Sequence, residues 1–289
     1  MSNGSVSLNR LGQINSGDVT MIVDPRLGGR ILSFARAGED ILLPESAVQG
    51  TDNANNFGIT FWPSPQSTWS WPPQTAIDSD PYAATVSGNS LVMTSGEASF
   101  PDGAVVILEK RFAPVPGKDA IDVTYQLKNV GKVSVNLATW QIARVRAGGL
   151  TFFRLGSGGV SSDKLATVTA SGVQWYKYDA SVVTAQGQKT FADATGWVAH
   201  ADGDLIFIQS YPDVAPGAAA AGEAEMELYA DPSHTYVEIE PQGTASQIAP
   251  GGAGPSWNVR CFLAKLPAQL DASVGNAALT AFVETLISG

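Results

Sequence analysis

Short runs of alternating apolar and polar residues, separated by Gly, Pro, Asn and Asp, follow one another along most of the chain. Alternation with a period of two places apolar side chains on one face of a strand and polar side chains on the other. Such runs, at about 8 to 15 residues per unit, are typical of antiparallel sandwiches and barrels. The sequence therefore predicts an all-β protein. Examples are VTMIVDP, GRILSFARAGE, AVVILEKRFAPVPG, AIDVTYQLKN, VSVNLATWQIARV and SWNVRCFLAKLP.

Three segments depart from this pattern. Residues 268–288 carry apolar side chains at helical spacing and predict a C-terminal helix. Residues 50–82 and 146–159 are rich in proline or glycine and predict long ordered loops, a class that is often functional. Because no repeat and no linker-like stretch divides the chain, we expect one domain over residues 1–289.

Residues 222–243, called the acidic hairpin below, predict a β-hairpin with five glutamates on one face. They are Glu223, Glu225, Glu227, Glu238 and Glu240. If Tyr229 lies opposite Tyr236, Glu227 faces Glu238, and facing like charges destabilise a sheet. The acidic face is therefore either a solvated outer surface or a polar groove in which the carboxylates meet cations, a metal ion or a substrate.

Composition and charge narrow the possible partners. The chain of 289 residues is 44% hydrophobic, with a formal net charge of −10 and a pI near 4.6. Nucleic-acid binding relies on clustered Lys and Arg, so this acidic balance argues against nucleic acid as a partner. The single cysteine, Cys261, excludes an internal disulfide, and two histidines exclude a multi-histidine zinc site.

The sequence shows neither a membrane-spanning segment nor a recognisable targeting signal. No run approaches the roughly 18 apolar residues of a membrane span. The first residues, MSNGSVSLNRLG, lack the basic and apolar regions of a signal peptide. The expected location is periplasmic or secreted if an export signal was removed, and cytoplasmic otherwise, with the oligomeric state open.

Tryptophans in the proline-rich segment are candidates for sugar binding. Trp62, Trp69 and Trp71 fall within ten residues, and Asn56 lies just before them. Indole faces pack on the C–H surface of a pyranose, and amides hydrogen-bond its hydroxyls. These residues, together with Trp140, predict a stacking platform for a carbohydrate. The alternative is a hydrophobic lid that seals one end of the sandwich.

Glu240 is the strongest candidate for an acid–base role. An apolar groove would raise the pKa of its carboxyl group, as general bases require. Glu238 is two residues away on the same strand face and could act on the same substrate. Arg144 and Lys177 are candidate counter-charges or sugar ligands. No cofactor is expected, although a hard cation such as calcium among the acids is an alternative, since such ions take carboxylate oxygens.

Five segments, in their order along the chain, resemble a known superfamily. They are LGGRILSF, NNFGITFWPSPQSTWSWPP, IDVTYQLKNVGKVSVNLATWQIARV with AGGLTFF after it, GWVAHADGDLIFIQSYPD, and GEAEMELYADPSHTYVEIEPQGTASQIAPGG. Together they resemble the galactose mutarotase-like (aldose 1-epimerase-like) superfamily, and most closely an uncharacterised bacterial branch, a domain of unknown function (DUF4380). The resemblance implies a large antiparallel β-supersandwich with few short helices and sugars bound on a concave sheet face.

The resemblance also implies roles for individual residues. Mutarotases use a glutamate near the C-terminus as base and a histidine as the acid that protonates the ring oxygen. Glu240, followed by Pro241 and Gln242, is similar to the family's glutamate. Trp140 stands where the family has its histidine, and an indole cannot protonate a ring oxygen, so ordinary mutarotase (isomerase) activity is not expected. The three glutamates of the first hairpin strand match no family role and are expected to be solvated or paired with arginine.

Three functional hypotheses follow. The first is a carbohydrate-active protein that binds a sugar or sugar-derived small molecule on a concave sheet face, with Glu240 as general base. As an enzyme it would be epimerase-like or another carbohydrate-active enzyme that lacks the usual mutarotase histidine. The second is a non-catalytic carbohydrate-binding or accessory protein. The third is a metal-dependent lyase or hydrolase that uses the acidic hairpin.

Overall fold

Antiparallel strands make up nearly all of the regular structure. The computed structural model describes residues 4–185 and 187–289. The strands are β1 (Ser5–Leu8), β2 (Gly12–Ser16), β3 (Val19–Asp24), β4 (Arg30–Arg36), β5 (Glu39–Asp40), β6 (Ile59–Ser64), β7 (Ala83–Ser87), β8 (Ser90–Thr94), β9 (Ala98–Ser99), β10 (Val105–Pro114), β11 (Ala120–Asn129), β12 (Val135–Arg146), β13 (Leu150–Arg154), β14 (Val160–Asp163), β15 (Val168–Ala170), β16 (Val173–Lys177), β17 (Lys189–Ala192), β18 (Trp197–Asp202), β19 (Leu205–Ser210), β20 (Met226–Ala230), β21 (Tyr236–Pro241), β22 (Ser246–Ile248) and β23 (Trp257–Lys265). The α-helices are α1 (Thr75–Asp78) and α2 (Ala277–Ser288), and short 3₁₀ turns lie at Glu45–Ala47 and Gln66–Thr68.

The strands form two large sheets. Over the described residues, sheet 1 has 12 strands in the order β1-β2-β3-β4-β6-β12-β21-β20-β17-β14, with β5 beside β4 and β22 beside β12. Sheet 2 has 11 strands in the order β15-β16-β13-β18-β19-β23-β11-β10-β8-β7, with β9 beside β10. This architecture confirms the predicted all-β fold, a large antiparallel β-supersandwich with few short helices.

The main core lies between the two sheets. Phe61 of β6 stacks on Tyr125 of β11, with 5.0 Å between ring centroids. The Tyr125 hydroxyl donates to Oε1 of Gln141 in β12 at 2.6 Å. Because Gln141 points into the core, strand alternation sends Trp140 and Arg144 to the outer face of sheet 1. The candidate chemistry of β12 therefore lies outside the core, on a sheet face.

Two segments predicted as loops each contain a strand. All six residues of β6, within 50–82, are buried, and so are four of the five residues of β13, within 146–159. Both strands have neighbours on either side in their sheets. A central strand covered on both faces reads as a continuous apolar run and does not alternate. The loop prediction was wrong for these residues for that reason.

The C-terminal helix is shorter than predicted. It begins at Ala277 and not near residue 268, because the side chain of Asn276 accepts the N–H groups of Ala278 and Leu279 and caps the first turn. Leu279 joins an apolar cluster that includes Phe152 of β13, on the outer face of sheet 2. No helix in the described residues is long and apolar enough to cross a membrane.

Candidate functional site

A cavity of about 470 Å³, called the main cavity below, lies on the outer face of sheet 1. Its aromatic lining consists of Trp62, Trp71, Trp140, Tyr229 and Tyr236. Its polar lining includes Asn53, Asn56, Gln66, Lys189, Glu238 and Glu240. Cavities that bind small ligands usually measure about 300–1,000 Å³ and combine aromatic walls with a few polar groups. The main cavity has both properties.

The acidic hairpin forms, but its predicted register is wrong by two residues. Tyr229 pairs with Glu238, and Glu227 pairs with Glu240. The connection between the strands occupies residues 231–235, and the N–H of Asp231 donates to the carbonyl of Tyr236. A shift of two residues keeps every side chain on its face. Strand alternation therefore still places Glu227, Glu238 and Glu240 on one face, and two carboxylates still oppose each other.

A lysine from β17 lies between the two opposing carboxylates. Lys189 is the register partner of Tyr229 on the neighbouring strand β20. Its Nζ is 2.6 Å from Oε2 of Glu227 and 2.9 Å from Oε2 of Glu240. Both glutamates have 0% exposed surface. Lys189 thus supplies the positive charge that two buried, facing carboxylates require.

Burial is the largest single influence on the pKa of each of these three side chains, and it sets the net direction for the two glutamates. It raises the pKa of Glu240 to about 7, against the opposing effect of the Lys189 ammonium. It also raises the pKa of Glu227, again against Lys189 and with a further upward contribution from Glu240. For Lys189, burial lowers the pKa, but the two carboxylates outweigh burial and the net pKa is raised. The Glu240 carboxyl group is therefore more easily protonated than an exposed glutamate.

Buried polar atoms without a protein partner occur at this site. Oε1 of Glu240 and Nε1 of Trp140 make no hydrogen bond within the described residues, and neither does Nη2 of Arg144 beside the cavity. Buried polar atoms are normally hydrogen-bonded, so these atoms call for a partner. A ligand hydroxyl group can donate to a carboxylate oxygen and accept from an N–H group, so ligand hydroxyls could satisfy these atoms.

Trp62 is the centre of an aromatic wall. The rings of Trp71 and Trp140 each lie 5.5 Å from it, edge to face, and Trp69 lies 6.0 Å from it. Nε1 of Trp62 donates to Oδ1 of Asp78 at 2.9 Å, which fixes the indole plane. Trp71 is 55% exposed and extends the wall toward solvent.

Most predicted site residues come together at this cavity. Those that line it are Asn56, Trp62, Trp71, Trp140, Glu238 and Glu240. Arg144 lies beside the cavity, where its Nε donates to Glu238 at 2.8 Å and its Nη1 to Thr60 at 3.0 Å. Trp69 packs against the wall, and Lys177 is exposed on β16 of sheet 2, away from the cavity lining. Their functional roles stay predictions.

Sequence reasoning misses Lys189 and leaves Glu227 without a role. The available signal was the charge pattern, since facing acids require a nearby cation. Arg144 and Lys177 were the candidates for that cation, but Arg144 pairs with Glu238 and Lys177 is exposed on β16. Lys189 sits in a four-residue strand whose place beside the hairpin follows from sheet order alone.

The other two glutamates of the hairpin bind backbone groups. Glu225 is buried and accepts the N–H groups of Ala194 and Gly196 at 3.1 and 3.0 Å, and burial raises its pKa to about 7. Glu223 accepts the N–H of Gln66 at 2.8 Å. The expectation of a solvated or arginine-paired strand is therefore wrong for Glu225, which binds backbone, and for Glu227, which pairs with lysine. Across residues 4–185 and 187–289, no group of three or more His, Cys, Asp or Glu side chains is arranged to hold a metal ion.

Solved structures share this fold. A galactose mutarotase-like protein from Lactobacillus casei is 12% identical, with 88% of this chain and 100% of that chain covered and a TM-score of 0.60. A proposed aldose 1-epimerase from Escherichia coli K12 is 12% identical, with 91% and 100% covered and a TM-score of 0.56. A galactose mutarotase related enzyme from Lactobacillus acidophilus is 7% identical, with 93% and 100% covered and a TM-score of 0.56. These likenesses establish a galactose mutarotase-like fold.

Comparison of the sequence with known families and curated proteins does not assign the chain to a family. No family model matches the chain, so the resemblance to the DUF4380 branch gains no support there, and no curated protein matches it.

Proposed function

We propose that the main cavity binds a sugar or sugar-derived ligand and that Glu240 acts there as the general base. The carboxylate of Glu240 carries this proposal. Lys189 holds one of its oxygens at 2.9 Å, and the other oxygen is buried and has no partner in the described chain. A general base needs a fixed position and a pKa near the working pH. Burial raises the pKa of Glu240 to about 7, which meets the second condition.

The lining of the cavity supports a carbohydrate as ligand. The edge-to-face wall of Trp62, Trp71 and Trp140 offers apolar surface for the C–H face of a ring. Asn56, whose Nδ2 donates to the Tyr236 hydroxyl at 2.9 Å, adds an ordered polar group beside that wall. The names of the similar solved structures point in the same direction. The order of the five segments further supports a place in the mutarotase-like superfamily near the DUF4380 branch.

Lys189 has a positioning role in this proposal. Its Nζ lies 4.9 Å from the ring centroid of Trp140, the residue that stands where the resemblance expects a histidine acid. By pairing with both Glu227 and Glu240, it fixes the Glu240 carboxylate and lowers the cost of ionising it. A sugar hydroxyl that binds Oε1 of Glu240 would donate its proton there, next to the ammonium.

The test is the isosteric change Glu240→Gln. Turnover is screened by polarimetry and NMR anomer exchange on aldoses, and by release of reducing ends from glycans. Glu240→Gln should abolish turnover while changing sugar affinity by less than about fivefold, because the amide keeps the shape but cannot accept a proton. Glu97→Gln, at an exposed position, is the matched control. An unchanged rate in Glu240→Gln would contradict the proposal.

A non-catalytic carbohydrate-binding protein is the second candidate. Trp140 at the histidine position favours it, because an indole provides stacking surface and no proton. Under this alternative, sugars quench tryptophan fluorescence in wild type and in Glu240→Gln, and no member of the panel is turned over. Turnover of any sugar by wild type, lost in Glu240→Gln, would exclude it.

A further inference from the structure

A second cavity of about 180 Å³ adjoins the main cavity. Asn53, Asn56 and Trp71 line both cavities, so the two share a wall. Trp71 is 55% exposed, although the other tryptophans of its wall are buried. An exposed indole face beside a ligand cavity offers apolar surface on which a second sugar ring can pack. Trp71 therefore borders both cavities. A sugar ring bound against Trp140 would occupy the main cavity and leave the second cavity open.

The second cavity has the lining of a hydroxyl-binding site. Besides the shared residues, it presents the polar side chains of Asp52, Asn55, Thr75, Asp78 and Ser79. Pro72 and Pro73, which follow Trp71 directly, line it as well and restrict the backbone that carries the indole. Short amide, hydroxyl and carboxylate groups around one aromatic face form the same combination as in the main cavity.

The charges around both cavities favour a neutral ligand. Within the described residues, Lys189 is the only cation that lines either cavity, and it and two nearby arginines are each paired with a carboxylate. The pairs are Lys189 with Glu227 and Glu240, Arg144 with Glu238, and Arg30 with Asp78. The two linings carry one cation, Lys189, and four acidic side chains, which are Glu238, Glu240, Asp52 and Asp78. A uronate or a phosphorylated sugar would meet repulsion, because like charges close together raise the free energy of the complex.

We propose that the two cavities are adjacent subsites for a neutral oligosaccharide of at least two sugar rings, with Trp71 as the stacking surface shared between them. This inference rests on the proposed sugar-binding function of the main cavity. The ring in the main cavity contacts the Trp62–Trp140 wall and Glu240. The next ring lies beyond Trp71, against Asn53, Asn55 and the side chains of α1.

Isothermal titration with matched sugars tests the inference. The probes are glucose, galactose, mannose and xylose, each with its own β-1,4- and α-1,4-linked di- and trisaccharides. At least one oligosaccharide should bind about tenfold more tightly than its monosaccharide, because the second ring adds stacking and hydrogen bonds. Equal affinities of every monosaccharide and its oligomers would overturn the second subsite and leave the first intact.

A blocking variant makes the assignment specific. Ala54 is exposed and lines only the second cavity, so Ala54→Trp should fill that cavity. We expect the variant to lose the oligosaccharide advantage and to keep monosaccharide affinity within about twofold. Ala268→Trp, an exposed alanine outside both linings, controls for an added indole. Thermal melts of both variants confirm folding.

The outcomes separate the two proposals. Retention of the full oligosaccharide advantage by folded Ala54→Trp would overturn the second subsite. Failure of every mono- and oligosaccharide to bind wild type would overturn the sugar function itself, and the subsite with it.

Discussion

Replacing Lys189 with methionine tests whether this lysine holds the acidic site together. Methionine keeps most of the side-chain volume and removes the charge. In the variant, two carboxylates with no exposed surface would face each other without the ammonium that now lies 2.6 and 2.9 Å from them. Breaking a buried ion pair by removing one partner costs about 3–5 kcal/mol. We expect a loss of that size in the free energy of unfolding at pH 8.

The loss should depend on pH in a defined direction. Burial raises the pKa of Glu240 in the folded state to about 7, above its ordinary 4.5. A carboxyl group with a raised folded pKa favours folding at low pH, and the cost of ionising it appears as the pH rises from about 4.5 through 7. For Glu240 in wild type this difference corresponds to about 3 kcal/mol. Without Lys189 the pKa of both glutamates in the folded state rises further. The free energy of unfolding of the variant therefore falls more steeply than that of wild type as the pH increases.

At pH 5 most of this destabilisation should be absent, because Glu227 and Glu240 are then largely protonated in the variant. Only the packing change from lysine to methionine remains, at about 1 kcal/mol. Lys189 itself does not titrate in this window, because its ordinary pKa of 10.5 is raised in the fold. The predicted signature is therefore a large destabilisation at pH 8 that mostly disappears at pH 5.

Urea unfolding followed by tryptophan fluorescence at pH 5 and pH 8 measures this difference. Lys177→Met, on an exposed strand position, is the matched control and should change stability by less than about 0.5 kcal/mol. Adding Glu227→Gln to Lys189→Met should recover part of the loss at pH 8, since only one buried acid remains. Equal losses at both pH values, or a loss below about 1 kcal/mol at pH 8, would refute the reasoning.

Two further predictions concern the scaffold. Gly149 has φ +64, and a Cβ there would lie 2.5 Å from the carbonyl oxygen of Ala201, so Gly149→Ala should cost about 2 kcal/mol or more in thermal unfolding. Gly38→Ala, at φ +90 with open space around it, should cost only about 1–2 kcal/mol, and equal melting temperatures of the two variants would argue against the steric contact. Burial raises the pKa of the Cys261 thiol, so Ellman's reagent should label it only after unfolding in urea; rapid labelling of native protein would contradict its burial.

The sequence correctly predicted which side chains share a strand face, but it did not predict which residues pair across neighbouring strands. Period-two alternation placed Glu227, Glu238 and Glu240 together, and the resemblance selected Glu240 among them. The predicted register was wrong by two residues because the connection at 231–235 is longer than the turn at 231–234 that the prediction assumed. Side-chain alternation is local, whereas register depends on turn geometry that residue types alone do not determine.

The strand β6 and the lysine of the site could not be predicted from the sequence, because both depend on which strands are neighbours in the sheet. β6 is buried along its whole length and contains Pro63, so it lacks the alternation by which exposed strands are found. Lys189 reaches Glu240 across β20, a neighbour 37 or more residues away in the chain. Such a contact is set by the order of strands in the sheet, and no local pattern encodes it.

A crystal structure with a bound oligosaccharide, chosen from the titration panel, tests the central claim most directly. We predict a sugar ring against Trp62 and Trp140, with one hydroxyl within about 3 Å of Oε1 of Glu240. A ligand bound elsewhere on the protein, or a ring in the main cavity that leaves Oε1 of Glu240 without a partner, would contradict the account.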